Sequence, residues 1–118
     1  MDEIVIALMS GPKDGDTLTF HTLLDSGQPI ELTIGRREGC DVCLSYDSQV
    51  SRDHARLIFD GVQYWLEDQR STNGSYIGDE KITGRVELEP GQLFRIGRTW
   101  LRVEPAIQFS TSSDDLPF

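Results

Sequence analysis

The chain has 118 residues, enough for one domain with its own core, and its 37% hydrophobic and 26% charged content excludes a disordered polymer. A net charge of −9 argues against general nucleic-acid binding, because a polyanion is repelled at long range. The longest apolar run, Ile4 to Met9, is too short to span a membrane as a helix, and the acidic Met1-Asp2-Glu3 start gives no signal peptide, so a cytoplasmic location is expected.

Taken in order, the chain alternates short runs of Ile, Val, Leu, Thr and aromatic residues with Gly, Pro, Asp and Asn clusters. The first predicted strand is 3–9, whose Ile4, Ile6 and Leu8 share one face, followed by the turn Gly11-Pro12-Lys13-Asp14-Gly15. A second strand is predicted at 17–20, with His21-Thr22-Leu23-Leu24 as a candidate extension before the turn Asp25-Ser26-Gly27-Gln28-Pro29. Strand 30–34 turns Leu32 and Ile34 inward and runs into Gly35-Arg36-Arg37. Strand 42–44 sends Val42 and Leu44 to one face and Cys43 to the other. Cys40 and Cys43 form a lone C-x-x-C with no second cysteine pair and only His21 and His54 elsewhere, so a zinc site is not expected and the thiols read as reduced and structural.

Strands 55–60 and 62–67 flank Asp60-Gly61, read as a hairpin of type I′ with positive φ at both central residues. Strands 76–77, 85–88, 92–96 and 99–104 complete the pattern, with turns at Pro90-Gly91 and Gly97-Arg98. Leu57, Phe59, Leu88, Leu93, Ile96, Leu101 and Val103 are the expected remaining core, and Trp65 and Trp100 read as core or sheet-face residues. Many short strands at this spacing indicate an all-β sandwich or barrel over residues 1–104. Residues 105–118, with Ser110-Thr111-Ser112-Ser113-Asp114-Asp115, read as a flexible acidic Ser/Thr-rich tail.

Two polar runs stand out between these strands: Ser51-Arg52-Asp53-His54-Ala55 and Ser71-Thr72-Asn73-Gly74-Ser75. With Gly35-Arg36 they supply guanidinium, hydroxyl and amide donors, the chemistry that holds a phosphate without cleaving it. Arg36, Arg37, Arg52 and Arg56 balance Glu38, Asp41, Asp47 and Asp53, so this segment is locally neutral inside an acidic chain. Ser51 and His54 invite a nucleophile–base reading, but Asp53 points away from His54 in an extended segment and no catalytic residue is assigned. Gly74 is expected at a turn of positive φ, and Gly35 is expected to let the strand leave for a loop. Arg56 reads as surface charge, Arg37 as a solvated or ligand-side residue, and Arg70 equally as loop charge or as a residue facing a bound ligand.

The order Ile34-Gly35-Arg36, Asp41-Val42-Cys43-Leu44, Ser51-Arg52-Asp53-His54-Ala55 and Ser71-Thr72-Asn73-Gly74-Ser75-Tyr76-Ile77 resembles a forkhead-associated (FHA) domain. The opening Ser10 to Gly15 turn and the late Gly91…Ile96-Gly97 element extend the likeness to nearly the whole chain. The resemblance implies an FHA-type β-sandwich of about eleven strands whose loops at one end form the binding site. It implies a non-enzymatic phosphothreonine-peptide binding module, without cofactor or metal, serving partner proteins phosphorylated by an upstream Ser/Thr kinase. Neither nucleic acid nor membrane is an expected partner.

Residue by residue, the likeness gives Arg36, Ser51 and Arg52 to the phosphate, Thr72 to the γ-methyl of phosphothreonine, and Asn73 to the peptide main chain. Gly35, His54 and Gly74 would support the site. Thr111, with Asp114 three residues on, is a candidate ligand for the pocket of its own or a neighbouring chain. The competing expectation is a phosphate-independent interaction or dimerisation scaffold of the same fold.

Overall fold

In a computed structural model the chain is described over residues 2–22 and 28–105, with the backbone alone at Asp2 and Thr22. The expected extension at Leu23-Leu24, the Asp25-Ser26-Gly27 turn and the tail beyond Pro105, Thr111 included, lie outside the described residues.

Eleven strands form two sheets: β1 (Asp2–Leu8), β2 (Thr17–Thr22), β3 (Ile30–Gly35), β4 (Val42–Cys43), β5 (Ala55–Phe59), β6 (Tyr64–Asp68), β7 (Ser75–Ile77), β8 (Glu80–Lys81), β9 (Arg85–Leu88), β10 (Phe94–Ile96) and β11 (Thr99–Val103). One sheet runs β2-β1-β11-β10-β7-β8 and the other β4-β3-β5-β6-β9. Neighbours are antiparallel except β3 and β4, which pair Ile34 with Val42 and Gly35 with Cys43 in parallel. The all-β sandwich read from the sequence is the fold of the protein.

The period-2 pattern places the core between the sheets. Ile4, Ile6 and Leu8 from β1 meet Leu32, Ile34, Leu57 and Leu66 from the other layer, with Phe94, Ile96, Leu101 and Val103 beside them. Each such side chain contributes on the order of 1.5–3 kcal/mol when fully buried. Val42 and Leu44 are fully buried and Cys43 is half-buried, as alternation requires. Cys40 and Cys43 are free thiols, and burial pushes the Cys40 thiol up from its ordinary range.

Three expectations need correction. Leu93 is 42% exposed and lies outside the core, because β10 starts at Phe94 and Phe94 with Ile96 takes the inward positions. Val62 is 85% exposed at the β5–β6 turn, not the start of a strand. That turn has positive φ at Gly61 but at neither Asp60 nor Val62, which fits type II′ rather than type I′. Asp60 instead accepts the Val62 and Gln63 N–H groups and the Trp65 indole N–H. Trp65 lies opposite the buried Ile58 on the outer face of its sheet. Strand β8 is the one the sequence pattern did not indicate, since Glu80 and Lys81 are both exposed and offer no apolar alternation.

Strand direction sends the β3–β4, β4–β5, β6–β7 and β10–β11 connections to one rim. Asp47, 5% exposed, ties two of them: Oδ2 accepts from Arg98 N at 2.8 Å and Thr99 Oγ1 at 2.7 Å, and Oδ1 from Gln49 N at 3.0 Å. Ser10 accepts the Trp100 N–H at 3.0 Å and so brings the 3-10 turn Gly11–Lys13 to the same rim.

Candidate phosphopeptide site

The rim is built from main-chain contacts outward. After β3 the chain leaves at Gly35, whose φ is not positive; what requires glycine there is the space a side chain would take. A Cβ at Gly35 would overlap the Arg52 carbonyl oxygen and lie 2.9 Å from Cys40 Sγ. The two arginine-bearing loops therefore cross backbone on backbone. Arg36 N donates to Ser51 O at 3.0 Å, and Arg37 N to Arg52 O at 3.4 Å. The Thr33–Asp41 pair closes the base of the β3–β4 loop, with Asp41 N donating to Thr33 Oγ1 and Thr33 N to Asp41 Oδ2, both at 2.9 Å.

His54 is fully buried and joins the β4–β5 and β6–β7 loops. Its Nδ1 accepts the Ser51 N–H at 2.9 Å, which puts the ring proton on Nε2, where it donates to Gly74 O at 2.9 Å. Its own N–H donates to Ile34 O and its carbonyl accepts from Gln69 N, both at 2.9 Å. Both ring nitrogens thus serve the backbone, and neither meets the Ser51 hydroxyl. Asp53 is exposed and pairs with Arg37 at 2.6 Å, not with His54. The nucleophile–base–acid geometry is not built.

The β6–β7 loop closes on Asp68. Its Oδ1 accepts the Ser71 and Ser75 hydroxyls at 2.5 and 2.7 Å, and its Oδ2 the Ser71 N–H at 3.1 Å. Burial opposes its ionisation, but the Ser71 and Ser75 hydroxyls and the Ser71 N–H outweigh that and hold its carboxyl below the usual carboxylate range. Arg70 and Gly74 take φ of 58° and 85°, the backbone reversal that glycine at position 74 was expected to supply.

A carboxyl held low in the folded state stabilises above its unfolded value, about 3.9, and loses that contribution as pH falls through the folded value. Asp68→Asn is expected to cost about 1–2 kcal/mol at pH 7. In thermal melts the gap between the two proteins should shrink below about pH 4. A gap independent of pH would remove Asp68 from this role.

The side chains singled out in the sequence come together on this frame. Arg36 is exposed; its Nε donates to Val50 O at 2.9 Å, and its two terminal nitrogens make no hydrogen bond among the described residues. Ser51 Oγ accepts the Thr72 N–H at 3.0 Å, which leaves the hydroxyl proton for an acceptor outside the chain. Asn73 Nδ2 donates to Gln49 O at 2.9 Å, leaving one N–H and the amide oxygen for a ligand. Thr72 is exposed, and the exposed Arg52 guanidinium makes no ion pair or hydrogen bond among the described residues. Arg36, Ser51, Thr72 and Asn73 are therefore linked directly or through residues 49–50. Gln49, Val50, Asp47 and Asp68 were not indicated by the sequence; the Asp-x-x-Ser spacing of 68 to 71 is the one available signal, that of a side-chain-capped turn.

Among the described residues no cluster of His, Cys, Asp or Glu is arranged to hold a metal, and no helix is long and apolar enough to cross a membrane.

Comparison with known proteins agrees with this frame. FhaB of Mycobacterium tuberculosis is 38% identical over 88 residues, which cover 75% of this chain and 55% of FhaB. EmbR of the same organism is 36% identical over 73 residues, 59% of this chain and 19% of EmbR. The chain thus spans about half of FhaB and a fifth of EmbR. Among solved structures, the FHA domain of CT664 from Chlamydia trachomatis superimposes with a TM-score of 0.76 at 21% identity, covering 90% of this chain and all of that one. Mycobacterium tuberculosis EmbR in complex with a low-affinity phosphopeptide gives a TM-score of 0.72 at 24% identity, over 86% of this chain and 24% of EmbR. The FHA domain profile matches residues 32–97, from the middle of β3 to the β10–β11 turn, and so takes in the β3–β4, β4–β5 and β6–β7 loops of the rim. The eleven-stranded sandwich, its crossed arginine loops and this match agree: the chain belongs to the FHA domain family.

Proposed function

We propose that the chain is a phosphothreonine-peptide binding module that recruits proteins phosphorylated by a Ser/Thr kinase. Residues 1–104 are the binding domain and residues 105–118 an acidic Ser/Thr-rich tail. The observation that carries the reading is the Ser51 hydroxyl, which accepts the Thr72 N–H and keeps its own proton for an anion, beside the uncommitted terminal nitrogens of Arg36. Arg36, Ser51 and Arg52 take the phosphate, Thr72 packs the γ-methyl, and Asn73 reads the peptide main chain with its remaining amide donor and acceptor. Gly35, His54 and Gly74 hold the loops. The relative EmbR has been solved with a phosphopeptide, which supports the ligand class. No catalytic step, cofactor or metal is assigned, and the module works in the cytoplasm.

Titration of one peptide in phosphothreonine, phosphoserine and unphosphorylated forms tests the proposal. One buried methyl group is worth about 0.8 kcal/mol, so phosphothreonine should bind about fourfold tighter than phosphoserine, with the unphosphorylated form far weaker. Arg36→Ala should lower phosphothreonine affinity about 100-fold, since charge-assisted hydrogen bonds are lost. Its melting temperature should fall by only a few degrees, because one exposed hydrogen bond to Val50 O goes with it. Equal affinity for the three peptides would end the reading. Binding that survives Ser51→Ala in a protein of dimeric solution mass would favour the phosphate-independent scaffold.

A further inference from the structure

Behind the rim, on the outer face of the five-stranded sheet, lies a concavity of about 180 Å³. Thr33, Arg37, Asp53, Arg56 and Gln69 supply its polar lining. We infer that this cavity is a second anion subsite, taking an acidic or phosphorylated side chain that flanks the phosphothreonine on the same partner chain. The inference rests on the phosphothreonine reading of the rim and deepens it.

Two guanidinium groups against one carboxylate line the cavity, and Arg52, without an ion-pair partner among the described residues, precedes Asp53 directly. Counting Arg52 and the Glu31 carboxylate paired to Arg56, three guanidinium groups face two carboxylates here, one excess positive charge that draws a nearby anion although the segment as a whole is balanced. The ion pairs around it, Arg37–Asp53 at 2.6 Å and Arg56–Glu31 at 3.3 Å, join side chains that are all 43–61% exposed. Pairs so exposed add little to stability, so the fold has little need of Arg37 and Arg56 as ion-pair partners.

Asp53 shows what an anion experiences at this spot. Its hydrogen bond from Arg37, with the charges of Arg37, Arg52 and Arg56 behind it, holds its carboxyl below the usual carboxylate range. The Asp53 side chain is itself exposed and is anchored by Arg37 alone among the described residues, so an incoming anion can take over or share that guanidinium. Arg37 and Asp53 each follow a proposed phosphate-binding residue, Arg36 and Arg52. The cavity is therefore bordered by the same two loops as the rim, so one extended partner chain can reach both within a few residues.

An alanine-rich host peptide with a central phosphothreonine is the probe, carrying Asp, Glu or phosphoserine at each position up to four residues on either side. Titrated against the full chain, a second anion at one or two neighbouring positions should tighten binding about threefold to tenfold, phosphoserine more than Asp or Glu. Carboxylates as strong as phosphoserine would mark the natural source as acidic side chains, and phosphoserine alone would mark a doubly phosphorylated partner. Arg56→Gln should abolish the gain while holding affinity for the singly phosphorylated host within about twofold, its folding checked by thermal melting. Asp53→Asn, which removes the resident carboxylate, should enlarge the gain. No gain at any position, or a gain unchanged in Arg56→Gln, overturns the inference while leaving the rim intact. Failure of the host peptide to bind overturns the phosphothreonine reading and this subsite with it.

Discussion

His54→Ala is expected to lower stability by about 3–5 kcal/mol and to abolish phosphopeptide binding, although no His54 atom reaches the ligand-facing side of the rim. The imidazole is fully buried between two loops, and its loss leaves the Ser51 N–H and the Gly74 carbonyl without partners. Each stranded backbone group costs about 1–3 kcal/mol, and the vacated ring volume adds a cavity. Ser51 then loses the contact that fixes its backbone, so the hydroxyl under Thr72 N is no longer held in place. Denaturant unfolding of the variant beside the parent measures the first effect and peptide titration the second. A variant as stable as the parent would show that the loops are held otherwise. Retained binding in a destabilised variant would show that the rim forms without this bridge.

Gly35→Ala is the second large effect. The added methyl meets the Arg52 carbonyl oxygen, a backbone atom that no rotamer change can move aside. Either β3 or the 51–54 loop must shift, and the Arg36 N to Ser51 O and Arg37 N to Arg52 O bonds shift with it. A cost of about 3 kcal/mol or more is expected, with phosphopeptide affinity falling at least tenfold. Gly74→Ala makes the contrast. There the strain is a φ of 85°, and the nearest atom to the new methyl is Lys81 Cε at 2.7 Å, the far end of a flexible side chain. About 1–2 kcal/mol is expected at that site. Gly74→Ala proving costlier than Gly35→Ala in matched urea titrations would contradict the close approach at Gly35.

Alternation made most of the sandwich legible, because Ile4, Ile6 and Leu8 or Leu101 and Val103 sit on one face at a period of two and are buried accordingly. It misplaced Leu93, an apolar residue next to a strand, since hydrophobicity alone does not say where pairing begins. At the rim the side-chain donors of Arg36, Ser51 and Asn73 were readable from residue type. The acceptors that hold them were not, because the carbonyls of Gln49 and Val50 are common to every residue and carry no letter in the sequence. Asp47 and Asp68 look in the sequence like any solvated loop acid; only the N–H and hydroxyl groups that the fold brings to them show that they anchor the loops. Gly35 was noticed as the strand's exit to a loop, but its crossing with residue 52 was not legible, because a close approach is a property of two distant segments and not of one.

The pairing of β1 with β11 has a consequence for how the module is joined to other polypeptides. Ile6 lies opposite Val103 and Glu104 N donates to Val5 O at 2.8 Å, so the chain enters β1 and leaves β11 from the end of the sheet remote from Ser51 and Asn73. Whatever is spliced upstream of β1 or downstream of β11 departs from that pole and leaves the recognition end unobstructed. Such an arrangement lets the sandwich be carried as an appendage or an insert within larger architectures without redesign of its loops.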